Sequence, residues 1–264
     1  MNEQAQIRFD DGAAYEEFMG KWSSLVGDTF LDWLAPSSGL HWIDVGCGNG
    51  AFTERLIDRC APVDVHGVDP SPEQVAFARS RLAGRAASFQ VGDAMALPFA
   101  DDAFDAAVMA LVIFFVPDPA KGVAEMARVV KPGGSVSAYA WDMLGGGFPF
   151  AAVSQEMVAL GAPLLMPPSV EASRIESMRS LWQGPGLVDV ETRTISVQRT
   201  FDSFEEFWRI AQSGPRMTPR LAAMAPADVS LLEVRLRARL LADASGRVTC
   251  GASANAIKGR VAGR

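Results

Sequence analysis

Apolar residues recur at helical spacing near the start of the chain: Tyr15, Phe18, Met19, Trp22, Leu25, Val26, Phe30, Trp33 and Leu34. Recurrence at i, i+3, i+4 and i+7 marks a helix with one face to bury. Residues 13–35 are therefore expected to form one or two amphipathic helices, interrupted near Gly27 and stopped by Pro36. The pattern then changes. Short strand-like runs appear at 41–45, 63–68, 87–91, 104–110 and 135–140, with helical segments at 50–60, 72–83 and 119–129 between them. Ser71-Pro72-Glu73-Gln74 has the form of a capping box with proline at the first helical position. Asp118-Pro119 opens a helix in the same way, with Asp118 read as its N-cap. Lys131-Pro132-Gly133-Gly134 reads as a turn. Strands alternating with helices at this pace predict βαβ units and a parallel sheet covered on both faces.

After Trp141 the rhythm breaks. Residues 143–170 are rich in Gly, Pro, Met, Leu and Phe. A helix is expected over 171–182, a strand over 188–200, helices over 204–211 and 228–242, and a last strand over 247–258. The two late strands would pair at one edge of the sheet, and segments 149–182 and 203–242 would be insertions over the ligand face. The expected fold class is α/β: a Rossmann-like, doubly wound, mostly parallel seven-stranded sheet with an antiparallel edge strand and helical insertions over the ligand face. Three regions are expected: an N-terminal helical lid (1–36), a cofactor-binding core (37–142), and the rest of the same domain (143–264).

The chain has 264 residues and is 49% hydrophobic, which suits one large core. A net charge of −7 and a pI near 4.9 argue against nucleic acid or an anionic membrane as a general partner. From Arg209 onward, however, ten Lys/Arg face only three Asp/Glu. Arg235, Arg237 and Arg239 spread around a helix, so this tail reads as a solvated face. Cys47, Cys60 and Cys250 form no CxxC pair, which suggests neither a disulfide framework nor a metal site and fits a reducing compartment. The polar start MNEQAQIRFDDG has no signal-peptide core. The longest apolar run, Ala106 to Val116, is too short to span a bilayer. A cytoplasmic location, no membrane insertion and no metal are expected.

The candidate chemistry lies in WIDVGCGNGAFTERL, Trp42 to Leu56. In an open parallel sheet, ligands sit beyond the carboxyl ends of the strands. The turn Gly46-Cys47-Gly48-Asn49-Gly50 occupies that position, and its glycines allow close backbone approach and positive φ. Gly46, Gly48 and Ala51 also fit the dinucleotide pattern G-x-G-x-x-[GA]. Asp44 stands just before the turn, however, and no cation follows until Arg55, so an ammonium group suits this place better than a pyrophosphate. Asp69 closes the second strand and could accept from a ribose diol. Asp93 closes the third and could accept from an adenine amino group. A dinucleotide explains Asp69 but does not ask for Asp93. A nicotinamide (NAD or NADP) oxidoreductase stays open as the alternative.

The glycine turn in DVGCGNG, together with GVDPS and VGDAMALPF, resembles the motifs of the class I S-adenosylmethionine-dependent methyltransferases. FDAAVMALVIFFVPDPAKGVAEMARVVKPGG is similar to the later motifs of that superfamily. Within it, the group containing the quinone-biosynthesis C-methyltransferases resembles this chain most, over residues 40–142, and YEEFMGKWS resembles the helix that closes over the cofactor there. The resemblance implies S-adenosyl-L-methionine as cofactor. It sets Gly46, Cys47, Gly48 and Gly50 beside the methionine part and Asp44 at its amino group. Asp69 and Pro70 would lie at the ribose, Asp93, Ala94 and Met95 around the adenine, and Leu111 against the sulfonium. Tyr15 and Trp22 are lid candidates.

Cys47 itself reads as a small filler, since no histidine is arranged to activate it. His41 lies at the wrong end of its strand, and His66 is expected to be buried. Asp142, just past the fifth strand, is a possible general base, with a plain loop residue as the competing reading. The Met- and Phe-rich stretch 143–170 suggests an apolar acceptor pocket. The implied activity is methyl transfer to a small acceptor. A cofactor-binding module without catalysis, or an RNA methyltransferase using the basic tail, are the remaining alternatives.

Overall fold

The computed structural model describes residues 16–214 and 217–263, so Tyr15 lies outside the described residues. Seven strands form one sheet: β1 (His41–Val45), β2 (Asp64–Asp69), β3 (Ala87–Val91), β4 (Phe104–Ala110), β5 (Val130–Trp141), β6 (Val188–Phe201) and β7 (Val248–Arg260). Their order is β3-β2-β1-β4-β5-β7-β6. The first five are parallel, and β7 runs antiparallel between β5 and the edge strand β6. The chain winds outward from β1 in one direction and from β4 in the other. Their adjacent carboxyl ends form the switch point where such sheets hold ligands.

Nine α-helices accompany the sheet among the described residues: α1 (Lys21–Leu34), α2 (Ala51–Cys60), α3 (Pro72–Arg81), α4 (Pro119–Val129), α5 (Ala151–Ala159), α6 (Ile175–Gln183), α7 (Phe204–Gln212), α8 (Met217–Ala222) and α9 (Pro226–Arg239). A π-helical turn, Glu16–Gly20, leads into α1. The expected caps form where the sequence signals them. Ser71 Oγ accepts from the Gln74 amide at 3.3 Å, and Asp118 accepts from the Lys121 amide at 3.1 Å. Ion pairs stitch α1, α2 and α3 side by side on one face: Asp28 with Arg55, Glu54 with Arg81, and Asp58 with Arg85. Helices α4 and α6 cover the other face.

Several expectations need correcting. Gly27 does not interrupt its helix. It is buried inside α1, where a Cβ would lie 3.2 Å from the Tyr139 hydroxyl and 3.5 Å from the Phe52 ring. Glycine is there to let the helix approach the sheet. The segment 171–182 is a 3₁₀ turn followed by α6, and α6 is a covering helix rather than an insertion over the ligand face. Trp182 anchors it by donating from Nε1 to the Val136 carbonyl at 3.0 Å. The turn at 131–134 is a bulge that shifts the register of β5 against β4. Arg235, Arg237 and Arg239 are exposed, as a solvated face requires, and they pair within the chain. Arg235 and Arg239 reach Glu156, and Arg237 reaches Glu205 and Glu233.

Candidate functional site

The glycine turn leaves β1 and is tied to the end of β2. The amides of Gly46 and Cys47 both donate to the Val68 carbonyl, at 2.7 and 3.0 Å. Gly46, Gly48 and Gly50 all have positive φ, at 78°, 51° and 79°, where an L side chain is strained. Gly46 is also crowded: a Cβ there would lie 2.5 Å from Val112 Cγ1. Gly48 differs, because a Cβ would meet no heavy atom within 4 Å. Its backbone faces open space. Gly50 begins α2, and Asn49 Oδ1 accepts the Ala51 amide at 3.2 Å. The Cys47 side chain turns away into a small cluster with Val75, Ala78, Leu82 and Phe89. Burial, reinforced by Asp44 and Asp69, pushes its thiol far above the usual range.

Asp44 is wholly buried on β1. Its Oδ2 accepts the Thr53 hydroxyl at 2.6 Å, while its Oδ1, equally buried, has no hydrogen-bond partner among the described residues. Burial raises this carboxyl to about 7; the Thr53 bond opposes the rise and nearby Asp69 adds to it. Asp69 is half-buried at the end of β2. One of its oxygens accepts the Gly48 amide at 2.9 Å and the other the Ser71 amide at 2.9 Å. Burial still holds its pKa above the ordinary carboxylate value. Pro70 beside it is exposed. Asp93 is exposed and closes a tight turn, accepting the Met95 amide at 2.8 Å and pairing with Ala96. Ala94 and Met95 are half-buried against the core.

Leu111 leaves β4 with φ at 62°, a left-handed conformation in a residue that carries a full side chain. Its amide donates to the Tyr139 carbonyl at 2.8 Å, which fixes that geometry. Strain of this kind persists only where the surroundings impose it, and it clusters at functional sites. The next residue is Val112, the one that crowds Gly46. The strand exit and the glycine turn are therefore packed as a unit.

The remaining candidates sit differently. Asp142 is half-buried, and its Oδ1 accepts the Gly145 amide at 2.9 Å, so the carboxylate folds the turn that follows β5. The Asp142 amide donates to Ser253 at 2.9 Å, which ties that turn to β7. Trp22 is in the core rather than on a lid surface: it is wholly buried, with its ring 6.5 Å from Phe201. Phe18, by contrast, stacks on Phe150 at 4.3 Å, and Phe148 and Phe207 pack on Phe150. An aromatic wall thus joins the N-terminal helix to the apolar stretch after β5. His66 is half-exposed, contrary to expectation: its ring rests on Phe99 and Phe104 and meets Ser88 Oγ at 3.0 Å. His41 pairs with Asp64 at 2.9 Å. Among the described residues, no group of His, Cys, Asp and Glu is arranged to hold a metal and no helix is long and apolar enough to cross a membrane.

Sequence reasoning missed two participants. Thr53 looks like any polar residue in the first turns of a helix, and Val112 like any apolar residue in an apolar run. Neither carried a signal that it would touch Asp44 or Gly46.

A family profile described as Methyltransferase domain matches residues 43–138. An uncharacterized methyltransferase of Mycobacterium tuberculosis is 38% identical over 104 residues, covering 39% of this chain and 41% of that protein. The ubiquinone/menaquinone biosynthesis C-methyltransferase of Paracoccus denitrificans is 40% identical over 108 residues, covering 39% and 43%. This chain thus matches about two fifths of the length of these curated relatives. Phosphoethanolamine N-methyltransferase 2 of Haemonchus contortus, solved with S-adenosylhomocysteine, superposes with a TM-score of 0.61 at 21% identity, covering 97% of this chain and 59% of that one. The YcgJ protein of Bacillus subtilis superposes at 0.55 with 17% identity, covering 93% and 100%. At such identities the two solved structures speak for the fold alone.

Proposed function

We propose, from the premise that residues 43–138 are a class I S-adenosylmethionine-dependent methyltransferase domain, that this chain moves a methyl group from S-adenosyl-L-methionine to a small apolar acceptor by in-line displacement. One observation carries the reading. Asp44 is buried beside an open glycine turn, with one carboxylate oxygen lacking a partner. A buried carboxylate there repels a diphosphate and attracts an ammonium group. The residues therefore fit an amino-acid-bearing cofactor and disfavour a nicotinamide dinucleotide.

The cofactor supplies a sulfonium-bound methyl group with its leaving group already in place. The chain's own work is then binding and alignment. Asp44 holds the amino group, and the backbone at Gly46, Cys47, Gly48 and Gly50 follows the methionine portion. Asp69, with Pro70 beside it, takes the ribose hydroxyls through the lone pairs its two amide bonds leave free. Asp93, Ala94 and Met95 frame the base. Leu111, held in its strained conformation, faces the reacting centre. Alignment of this kind can supply roughly 7–11 kcal/mol of barrier reduction. The Met- and Phe-rich stretch 143–170 supplies the apolar acceptor site, and Asp142 is the carboxylate offered as proton acceptor, a step typically worth about 10²–10⁴-fold.

Calorimetric titration with S-adenosylhomocysteine beside NAD tests the reading. Binding of the first and not the second is expected, and Asp69→Ala should weaken it strongly. Tighter binding of NAD, or unchanged affinity in Asp69→Ala, overturns the site assignment.

A further inference from the structure

Asp44 has one hydrogen-bonding side-chain partner among the described residues, Thr53. Thr53 lies in the first turn of α2, wholly buried, and its hydroxyl donates to Asp44 Oδ2 at 2.6 Å. The other oxygen, Oδ1, is buried without a hydrogen bond. A buried carboxylate with one satisfied and one orphaned oxygen is an unusual arrangement, because an unmet acceptor costs about 1–3 kcal/mol.

We propose that Thr53 is a positioning residue for cofactor capture: its hydroxyl pins one oxygen of Asp44, so that the carboxylate presents the other as its sole free acceptor for the cofactor's ammonium group. This rests on the cofactor reading given above. The surroundings of Asp44 make the Thr53 bond consequential. Opposite Asp44 in the sheet stand Gly67 of β2 and Val108 of β4, neither of which ionises. The titratable groups acting with it are Asp69, from the end of β2, and Cys47, from the turn. Both are acids, and neither favours the charged form. Thr53 opposes protonation of Asp44 with its hydrogen bond and fixes the orientation of the carboxyl group.

Two consequences follow. An ammonium ligand requires the carboxylate, so affinity should fall as Asp44 takes up its proton at and below a pH near 7. Removing the Thr53 hydroxyl should move that fall to higher pH, since its hydrogen bond opposes protonation. A threonine that merely packed the helix would move neither.

The test is equilibrium binding of S-adenosylhomocysteine to the full chain between pH 5.5 and 8.5, with thermal melts as the folding control. For the unaltered protein, affinity should fall roughly tenfold per pH unit below the break. Thr53→Val, which keeps the shape, should bind more weakly at pH 7 and show its break at higher pH. Thr53→Ser should restore both. Asp44→Asn should bind weakly at every pH, with no break. A Thr53→Val protein that melts normally and binds with unaltered affinity and pH profile overturns this inference alone. Failure of the unaltered protein to bind at any pH overturns the cofactor reading, and this inference with it.

Discussion

Two glycines of one turn, two residues apart, are expected to respond oppositely to the same substitution. Both Gly46 and Gly48 have positive φ, so alanine at either position meets a backbone cost of roughly 1–2 kcal/mol. Alanine also restricts the unfolded chain, which returns about 0.4–1 kcal/mol. For Gly48→Ala nothing else changes, because a Cβ there has no heavy atom within 4 Å. Its net cost is about 0–1.5 kcal/mol. For Gly46→Ala the new atom falls 2.5 and 2.6 Å from the two methyls of Val112, and overpacking adds roughly 1–3 kcal/mol. The sum is about 3 kcal/mol, or about 6–12 °C in Tm for a chain of this size. Thermal unfolding followed by circular dichroism, then titration with S-adenosylhomocysteine, separates the two. Gly46→Ala should melt early, and adding Val112→Ala should recover part of the loss through coupling of the two sites. Gly48→Ala should melt within a few degrees of the unaltered protein yet bind cofactor poorly, since its Cβ fills the space the cofactor backbone needs. Equal melting losses in both variants would refute the packing argument. Normal binding by Gly48→Ala would refute the placement of the cofactor on that turn.

Three further outcomes are expected. Asp69→Asn keeps the size of the side chain but removes its charge from the Gly48 and Ser71 amides, so cofactor affinity should drop at least about tenfold with a smaller loss of stability, about 1–2 kcal/mol by urea titration; a large stability loss at unchanged affinity would make Asp69 a turn former only. The three thiols are buried, and burial raises each of them. An alkylating reagent at pH 8 should therefore label none in the native protein and all three in urea; rapid native labelling of Cys47 would show that its side chain does not stay in the cluster with Val75, Ala78, Leu82 and Phe89. Asp44 rises from 3.8 to about 7 on folding, so the folded state binds the proton more tightly and stability is lost, not gained, as pH climbs through that window. Above pH 7 the cost is of the order of 4 kcal/mol. Asp44→Asn should therefore melt no lower than the unaltered apo protein at pH 8, and a clearly lower melting temperature there would refute the buried-charge argument.

Much of the scaffold is legible in the chain because its signals are local. Capping at Ser71 and Asp118 and the apolar runs of the first five strands depend on neighbours within a few positions. The glycine turn and the acids at the ends of β1, β2 and β3 are also readable, since their places follow from strand ends. What was not legible depends on partners far along the chain. Gly27 reads as a helix breaker until Tyr139 and Phe52 are seen against it. His66 sits in a strand whose neighbours suggest burial, but its place near the outer strands leaves it half in solvent. The late strand β7 enters between β5 and β6, an order that neither strand's own residues encode.

The costly features of the molecule are not scattered. Leu111 is held at positive φ, Gly46 is crowded by the residue that follows Leu111, and Asp44 keeps an orphaned oxygen in the core. All three lie at the carboxyl ends of β1 and β4, the two strands where the winding reverses. Folding stability alone would remove each of them: an alternative exit from β4, a roomier turn, a neutral residue at position 44. They have a common explanation if the same two strand ends must leave one acceptor and one stretch of bare backbone facing a ligand. The pH-dependent cost at Asp44 is then the stored half of an interaction whose other half arrives with an ammonium group. Cofactor binding should accordingly raise the melting temperature more at pH 8 than at pH 6 at the same free cofactor concentration, because affinity for the ammonium group is higher where Asp44 is ionised.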